Sequence, residues 1–267
     1  MKGQFPRRLR AALKRLLVQA LVLVALVFIG LAVFKFAAEW RERQIAAPPT
    51  KPTVATTVSP SATEGETVPF VSPVDFDTQQ REAPDVIAWL TIDAPKVKID
   101  YPVVQGGDNQ YYLKRTPTKQ QSKYGSVFMD FRCHSDFSDF FTVLYAHHIQ
   151  ASPDRMFAPL VRFKQKDVFD AVQTGMLYTP EHTYELQIFA CAVMEAEDDI
   201  YIHLAVFSPA EKEERLAKLK ERSKHWREIP IGNSDHIVML STCSYDEGKK
   251  YKAERTVVLA KLVEIDA

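Results

Sequence analysis

Nineteen consecutive residues, Leu16 to Phe34, carry no charge, and the apolar character is unbroken nowhere else for so long. At ~1.5 Å per residue a helix of that length covers about 28 Å, the depth of a bilayer's hydrocarbon core. The pattern predicts a transmembrane helix over residues 16–36. A core helix of a soluble domain is rarely apolar on every side. A cleaved signal peptide is the competing reading, but its apolar region usually spans only ~7–15 residues before a small-residue cleavage site. Here Lys35, Glu39, Trp40 and Arg41 follow instead, and an uncleaved signal-anchor fits better.

After the apolar run the pattern dissolves. Residues 37–74 read as a linker, since 47–74 are rich in Pro, Thr, Ser and Ala without periodicity. From Asp75 the chain reads as one folded domain, 75–267. Short alternating or β-branched runs predict strands at 88–92, 97–104 (interrupted or edged at Pro102), 126–130, 141–146, 184–194, 237–243 and 256–263. Residues 82–87 read as a short helix or turn and 156–163 as a helical turn. Ser208-Pro-Ala-Glu211 is a capping box with proline at the first helical position. Leu216, Leu219 and Trp226 carry the helix it opens to residue 226. Many short strands with one strong helix, and no regular βαβ alternation, predict a mainly β fold: a closed or nearly closed barrel with appended helices.

Charge refines this picture. The 34 cations balance 34 acids, yet residues 1–15 hold six cations and no acid, while residues 36–267 hold 27 cations against 34 acids. A basic excess confined to one end argues against a nucleic-acid partner. Set before the apolar run, it predicts residues 1–15 in the cytoplasm and the folded domain outside the cell membrane. Three cysteines are too few for a disulfide scaffold. Cys133 in a polar stretch and Cys191 in an apolar strand are expected to stay unbridged. No Gly-rich phosphate loop occurs. The histidines at 134, 182, 203, 225 and 236 lack zinc-ligand spacing. The acidic run 195–199 reads as a solvated loop, with a calcium site as the alternative. No metal and no cofactor are expected.

Three strand ends carry candidate chemistry. Cys243 closes the 237–243 run, and polar Ser244 to Gly248 follow it. His147 and His148 close the 141–146 run, and Arg255 opens the last strand. Singly each has a plain structural reading: a small buried hydrophobe, a surface histidine, a solvated edge arginine. Together they suit acyl transfer. A thiolate attacks a carbonyl, a nearby imidazolium supports the thiolate, and a guanidinium stabilises the oxyanion without losing its charge.

At these residues a resemblance becomes specific. Leu240-Ser-Thr-Cys243 with Arg255 resembles the T-L-x-T-C … R signature of sortases, and Val143-Leu-Tyr-Ala-His147-His148 their V-x-Y-G-H segment. Residues 84–92, 99–105, 108–113 and 125–130 are similar to class B sortases, as is a long helix before the cysteine strand. Ala88 and Ala146 stand where glycine is common in the family, and Met239 where the signature has its first threonine. The resemblance implies a sortase-type closed β-barrel and a membrane-anchored cysteine transpeptidase. Cys243 would be the nucleophile, His147 rather than His148 the acid/base, and Arg255 the oxyanion or peptide-orienting group. Ser241 and Thr242 would be candidates for peptide contacts, or simply strand residues. The implied partners are secreted surface proteins with a C-terminal sorting signal, and a peptidoglycan-precursor or pilin amine as acceptor. Another cell-surface cysteine peptidase, or a membrane-tethered binding module without catalysis, are the alternatives.

Overall fold

The computed structural model describes residues 7–45, 51, 53, 70–204, 208–243 and 253–265. Most of the Pro/Thr-rich stretch and the polar run after Cys243 lie outside them. The chain divides into two units, residues 1–47 and 48–267. The first contains α1 (Arg7–Ile45), a continuous helix of 39 residues. Its apolar part, Arg15–Trp40, contains an 18-residue stretch with a mean hydropathy of 2.9 and is long and apolar enough to cross a membrane. The helix runs past both ends of the predicted 16–36 segment. Its flanks are mostly Ala, Leu, Arg, Lys, Glu and Gln, with no Pro or Gly to stop it.

The second unit is a barrel. In chain order its strands are β1 (Val86–Ala94), β2 (Val97–Gln105), β3 (Val127–Met129), β4 (Phe141–Tyr145), β5 (Thr174–Tyr178), β6 (Thr183–Glu195), β7 (Ser223–Trp226), β8 (Ile237–Cys243) and β9 (Glu254–Glu264). They are ordered β5-β1-β2-β3-β4-β8-β9-β6-β7, and β5 also pairs with β6. That extra pairing closes eight strands into a barrel and leaves β7 as an appendage on β6. All pairings are antiparallel except β2–β3 and β4–β8. Leu90, Ile92, Ile99, Phe141, Leu144, Phe189 and Leu259, all at most 1% exposed, belong to the unit's buried core. Among the described residues, four α-helices decorate this unit: α2 (Phe76–Glu82), α3 (Lys166–Ala171), α4 (Asp199–Ile202) and α5 (Pro209–Arg222).

Several details depart from the sequence reading. Pro102 does not interrupt β2, which runs unbroken with Pro102 opposite Trp89. On its other side β3 engages only Val103–Gln105, so the missing N–H falls outside that ladder. The short helix lies at Phe76–Glu82, with Asp75 accepting from the Thr78 N–H at 2.9 Å; residues 84–85 form a turn. The capping box of α5 forms as expected, but the helix stops at Arg222. Ser223 is extended, and its hydroxyl donates to the Leu219 carbonyl at 2.7 Å. Trp226 therefore belongs to β7, opposite Ala190, its ring edge-on to Phe189 at 5.1 Å. Strand β5 was not expected, because Gly175 weakens its pattern. A Cβ at that position would lie 2.8 Å from the Thr91 carbonyl oxygen of β1, so the close β1–β5 approach requires glycine.

The domain's packing also reaches upstream of Asp75. Val74 is 1% exposed and joins a cluster with Phe76, Val86, Trp89, Tyr112 and Phe128. Thr53 forms a β-bridge with Val74, and the Lys51 ammonium sits 3.5 Å from the Tyr178 ring centroid. Part of the linker is thus laid against the barrel. Burying a valine is worth about 1.5–3 kcal/mol. A chain beginning at residue 75 should melt roughly 4–8 °C below one beginning at residue 48. Calorimetry of the two truncated chains checks this; equal melting temperatures would show that the upstream segment adds nothing to the core.

Candidate active site

The site is built by strand pairing. β4 and β8 run parallel, with Tyr145 level with Ser241 at the end of the ladder. His147 lies two residues beyond Tyr145, and Cys243 two residues beyond Ser241. On the next strand the antiparallel β8–β9 register sets Cys243 opposite Arg255. Three adjacent strands therefore bring His147, the backbone of Cys243 and Arg255 to the same mouth of the barrel.

Each position is secured by its neighbours. The His147 ring nitrogen Nε2 lies 2.7 Å from the Leu113 carbonyl oxygen. Only an N–H can bond a carbonyl, so Nε2 carries a proton, and any further proton is exchanged at Nδ1. The Leu113 carbonyl is in turn shaped by Gly125, which has φ +62°. A Cβ there would sit 2.6 Å from the carbonyl oxygens of both Tyr112 and Leu113. The Phe157 N–H donates to the His147 carbonyl at 3.2 Å. Arg255 is half-buried. The residue before it, Glu254, is buried and paired with buried Lys164 at 2.9 Å. That pair pins the start of β9, since removing either partner would strand a buried charge.

Beside these residues lies a groove of about 690 Å³ whose lining includes His147, Arg255, Ser241 and Thr242. Of the five residues singled out in the sequence, these four meet in one cavity. Ser241 and Thr242 are nearly inaccessible, and their hydroxyls are engaged. Ser241 Oγ lies 2.8 Å from the Tyr201 hydroxyl, and Thr242 Oγ1 donates to the Ala146 carbonyl at 2.8 Å. Thr242 thus ties β8 to the residue just before His147. His148 is half-buried and is not among the described residues lining the groove.

The sequence reading missed other walls of the groove. Asn109, Leu113, Arg132, Tyr145 and Tyr201 all line it. Behind them sits the fully buried Asp130 carboxylate. Burial raises its pKa, but hydrogen bonds from the Arg132 side chain and backbone and from Asn109 outweigh burial, holding it below the usual carboxylate range. Burial likewise pushes the Tyr145 hydroxyl well above its ordinary value, so it remains a neutral donor. Asp130 closes the 125–130 stretch that resembles class B sortases, but nothing in that stretch marks its part in the site. Tyr201 had no signal either, because it reaches the groove only through α4.

The remaining candidates lie elsewhere. Cys133 and Cys191 are buried away from the groove. Burial pushes the Cys133 thiol up to about 12, leaving it a thiol at neutral pH. In the acidic run, Asp198 caps α4 and pairs with Arg222 at 2.7 Å, while Asp199 pairs with Lys218 at 3.1 Å. These acids are therefore neutralised by α5 rather than left as a calcium loop. Among the described residues no cluster of three or more His, Cys, Asp or Glu side chains could hold a metal.

The family profile of the sortase domain matches residues 92–263. Sortase B of Listeria monocytogenes is 34% identical over 180 residues, covering 67% of this chain and 70% of that protein. A Streptococcus pyogenes class B sortase involved in pilus biogenesis superposes with a TM-score of 0.61 at 31% identity, covering 71% of this chain and 98% of that one. The Staphylococcus aureus sortase B–substrate complex superposes with a TM-score of 0.64 at 25% identity, covering 72% of this chain and 85% of that one.

Gly125 offers a test of how His147 is held. Replacing it with alanine forces a side chain into the left-handed region, costing about 1–2 kcal/mol, and displaces the Leu113 carbonyl. Gly125→Ala should lower the melting temperature and shift the ¹⁵N NMR signals of the His147 imidazole. Unchanged imidazole signals in a destabilised variant would break the link between the glycine and the histidine.

Proposed function

Since the chain belongs to the sortase family, and is a cysteine transpeptidase of class B type, we propose that it cleaves the C-terminal sorting signal of secreted surface proteins and joins them to a cell-wall or pilin amine. The observation that carries this reading is the convergence of three neighbouring strand ends, bearing His147, Cys243 and Arg255, beside one groove. The Cys243 thiolate attacks the carbonyl carbon of a threonine in the sorting peptide. The resulting oxyanion is met by the Arg255 guanidinium, a charged fork that cannot lose its proton. As the C–N bond breaks, His147 gives its Nδ1 proton to the leaving amine, and a thioester remains on Cys243. An acceptor amine then attacks the thioester and passes a proton to His147, so that an amide forms and the thiolate is regenerated. The groove beside the triad takes the peptide, with Ser241 and Thr242 shaping its floor. That a Staphylococcus aureus sortase B of the same fold forms a complex with its substrate supports a substrate-binding role for this unit.

We also propose that residues 1–15 face the cytoplasm, that α1 anchors the protein, and that the catalytic unit works outside the cell. Support comes from the uncharged run and the cations before it.

The catalytic roles are tested by turnover of a peptide library carrying threonine at the acylated position, with a glycine amine as acceptor. Cys243→Ala should abolish the acyl adduct seen by mass spectrometry, and His147→Ala should collapse turnover while His148→Ala changes it little. Arg255→Lys should lose about 10²–10³-fold in rate, since an ammonium keeps the charge but not the fork. An adduct on Cys133 or Cys191 would overturn the assignment, and an inactive His148→Ala beside an active His147→Ala would reassign the histidine.

Topology is tested separately. Protease added to intact protoplasts should remove the catalytic unit, and complete protection would reverse the orientation.

A further inference from the structure

Asp130 is a buried anion that the proposed chemistry does not use. It directly follows β3, with its side chain fully inaccessible. Its Oδ2 accepts from Asn109 Nδ2 at 2.9 Å, from the Tyr145 hydroxyl at 3.1 Å and from an Arg132 terminal nitrogen at 2.7 Å. Its Oδ1 accepts from Arg132 Nε at 2.8 Å and from the Arg132 backbone N–H at 3.0 Å. A carboxylate offers about four lone-pair sites, so these donors saturate it. Asp130 therefore has neither the exposure nor the acceptor capacity to touch a substrate.

Its partners do line the groove. Asn109, Arg132 and Tyr145 are all wall residues. The orientation of Asn109 is fixed further, because its Oδ1 accepts from the Phe131 N–H at 3.1 Å. Arg132 extends the network, donating at 2.7 Å to the carbonyl of Tyr201. The Tyr201 hydroxyl then meets Ser241, two residues before Cys243. Walls from the 106–110 loop, β4, the 131–135 turn and α4 thus lean on one carboxylate.

We infer that Asp130 is the positioning residue of the groove: it sets the placement of Asn109, Tyr145, Arg132 and, through Arg132, Tyr201, and so governs how tightly the sorting peptide is held rather than how fast it reacts. The inference rests on reading the groove as the peptide site. An asparagine at 130 keeps the shape but turns an –NH₂ toward donors only. At least one wall must then lose its hydrogen bond and move.

The test uses the full chain in detergent micelles and the best-turned-over peptide of the threonine library. Asp130→Asn should raise KM by about 10- to 100-fold while kcat stays within about threefold of wild type. The rate of Cys243 alkylation by iodoacetamide, followed against pH, should match wild type, because the triad is held by other contacts. Tyr145→Phe removes one donor and should raise KM less. The double variant should resemble Asp130→Asn alone, since both act through one network.

An unchanged KM in Asp130→Asn would overturn the inference. So would multiplying KM effects in the double variant, or a loss of kcat accompanied by altered alkylation. Should melting curves show that Asp130→Asn does not fold, Arg132→Gln and Tyr145→Phe carry the test, each required to raise KM without a matching fall in kcat. Wild-type protein that turns over no library peptide strikes the functional reading itself, and this inference with it. Turnover by wild type with an unmoved KM in the variants strikes the inference alone.

Discussion

The arrangement at the barrel mouth depends on the parallel pairing of β4 with β8. Antiparallel neighbours end at opposite mouths, so a histidine closing one strand and a cysteine closing the next would be separated by the length of the barrel. Parallel neighbours end together, and the Phe141↔Ile237 to Tyr145↔Ser241 ladder makes the coincidence exact to the residue. A parallel pair needs a long crossover, and here the chain between β4 and β8 holds β5, β6, β7, α3, α4 and α5. Almost half the domain is the connection that lets two strands end side by side.

The remaining chemistry is delivered by different means. Arg255 comes at the start of the antiparallel β9, so a strand beginning at that mouth completes a group made of two strands ending there. Loops and short helices supply the walls, and they are disciplined by polar contacts rather than by ladders. The Leu113 carbonyl holds the imidazole, the Ala146 carbonyl holds Thr242, and one buried carboxylate gathers the far wall. Such contacts are worth most where water is excluded; the Thr242 bond is buried and the other two are partly so.

What was legible in the sequence follows from this division. The strand-end residues could be read because the period-two pattern that announces a strand also marks where it stops, and Cys243, His147 and Arg255 sit at those stops. The long β6 and β9 were equally plain, being β-branched and apolar for many residues. Strand β5 was obscured by Gly175, whose missing side chain is a demand of the neighbouring strand rather than a local preference. Trp226 misled because an apolar residue at helical spacing is indistinguishable from a strand residue until the chain's direction at Ser223 is known. Tyr201 and Asp130 owe their parts to partners far away in sequence, Ser241 for one and Tyr145 and Asn109 for the other. No window along the chain contains that information.

β9 is held on both flanks. Its pairing with β6 runs from Tyr184↔Glu264 to Glu195↔Glu254, and its pairing with β8 from Ile237↔Lys261 to Cys243↔Arg255. A slip of one residue would turn every side chain of the strand to the opposite face, so the distance in sequence between Cys243 and Arg255 does not set their distance in space. Alignment of the Cys243 backbone with Arg255 is therefore a property of the two ladders, set over eleven rungs on one flank of β9 and seven on the other.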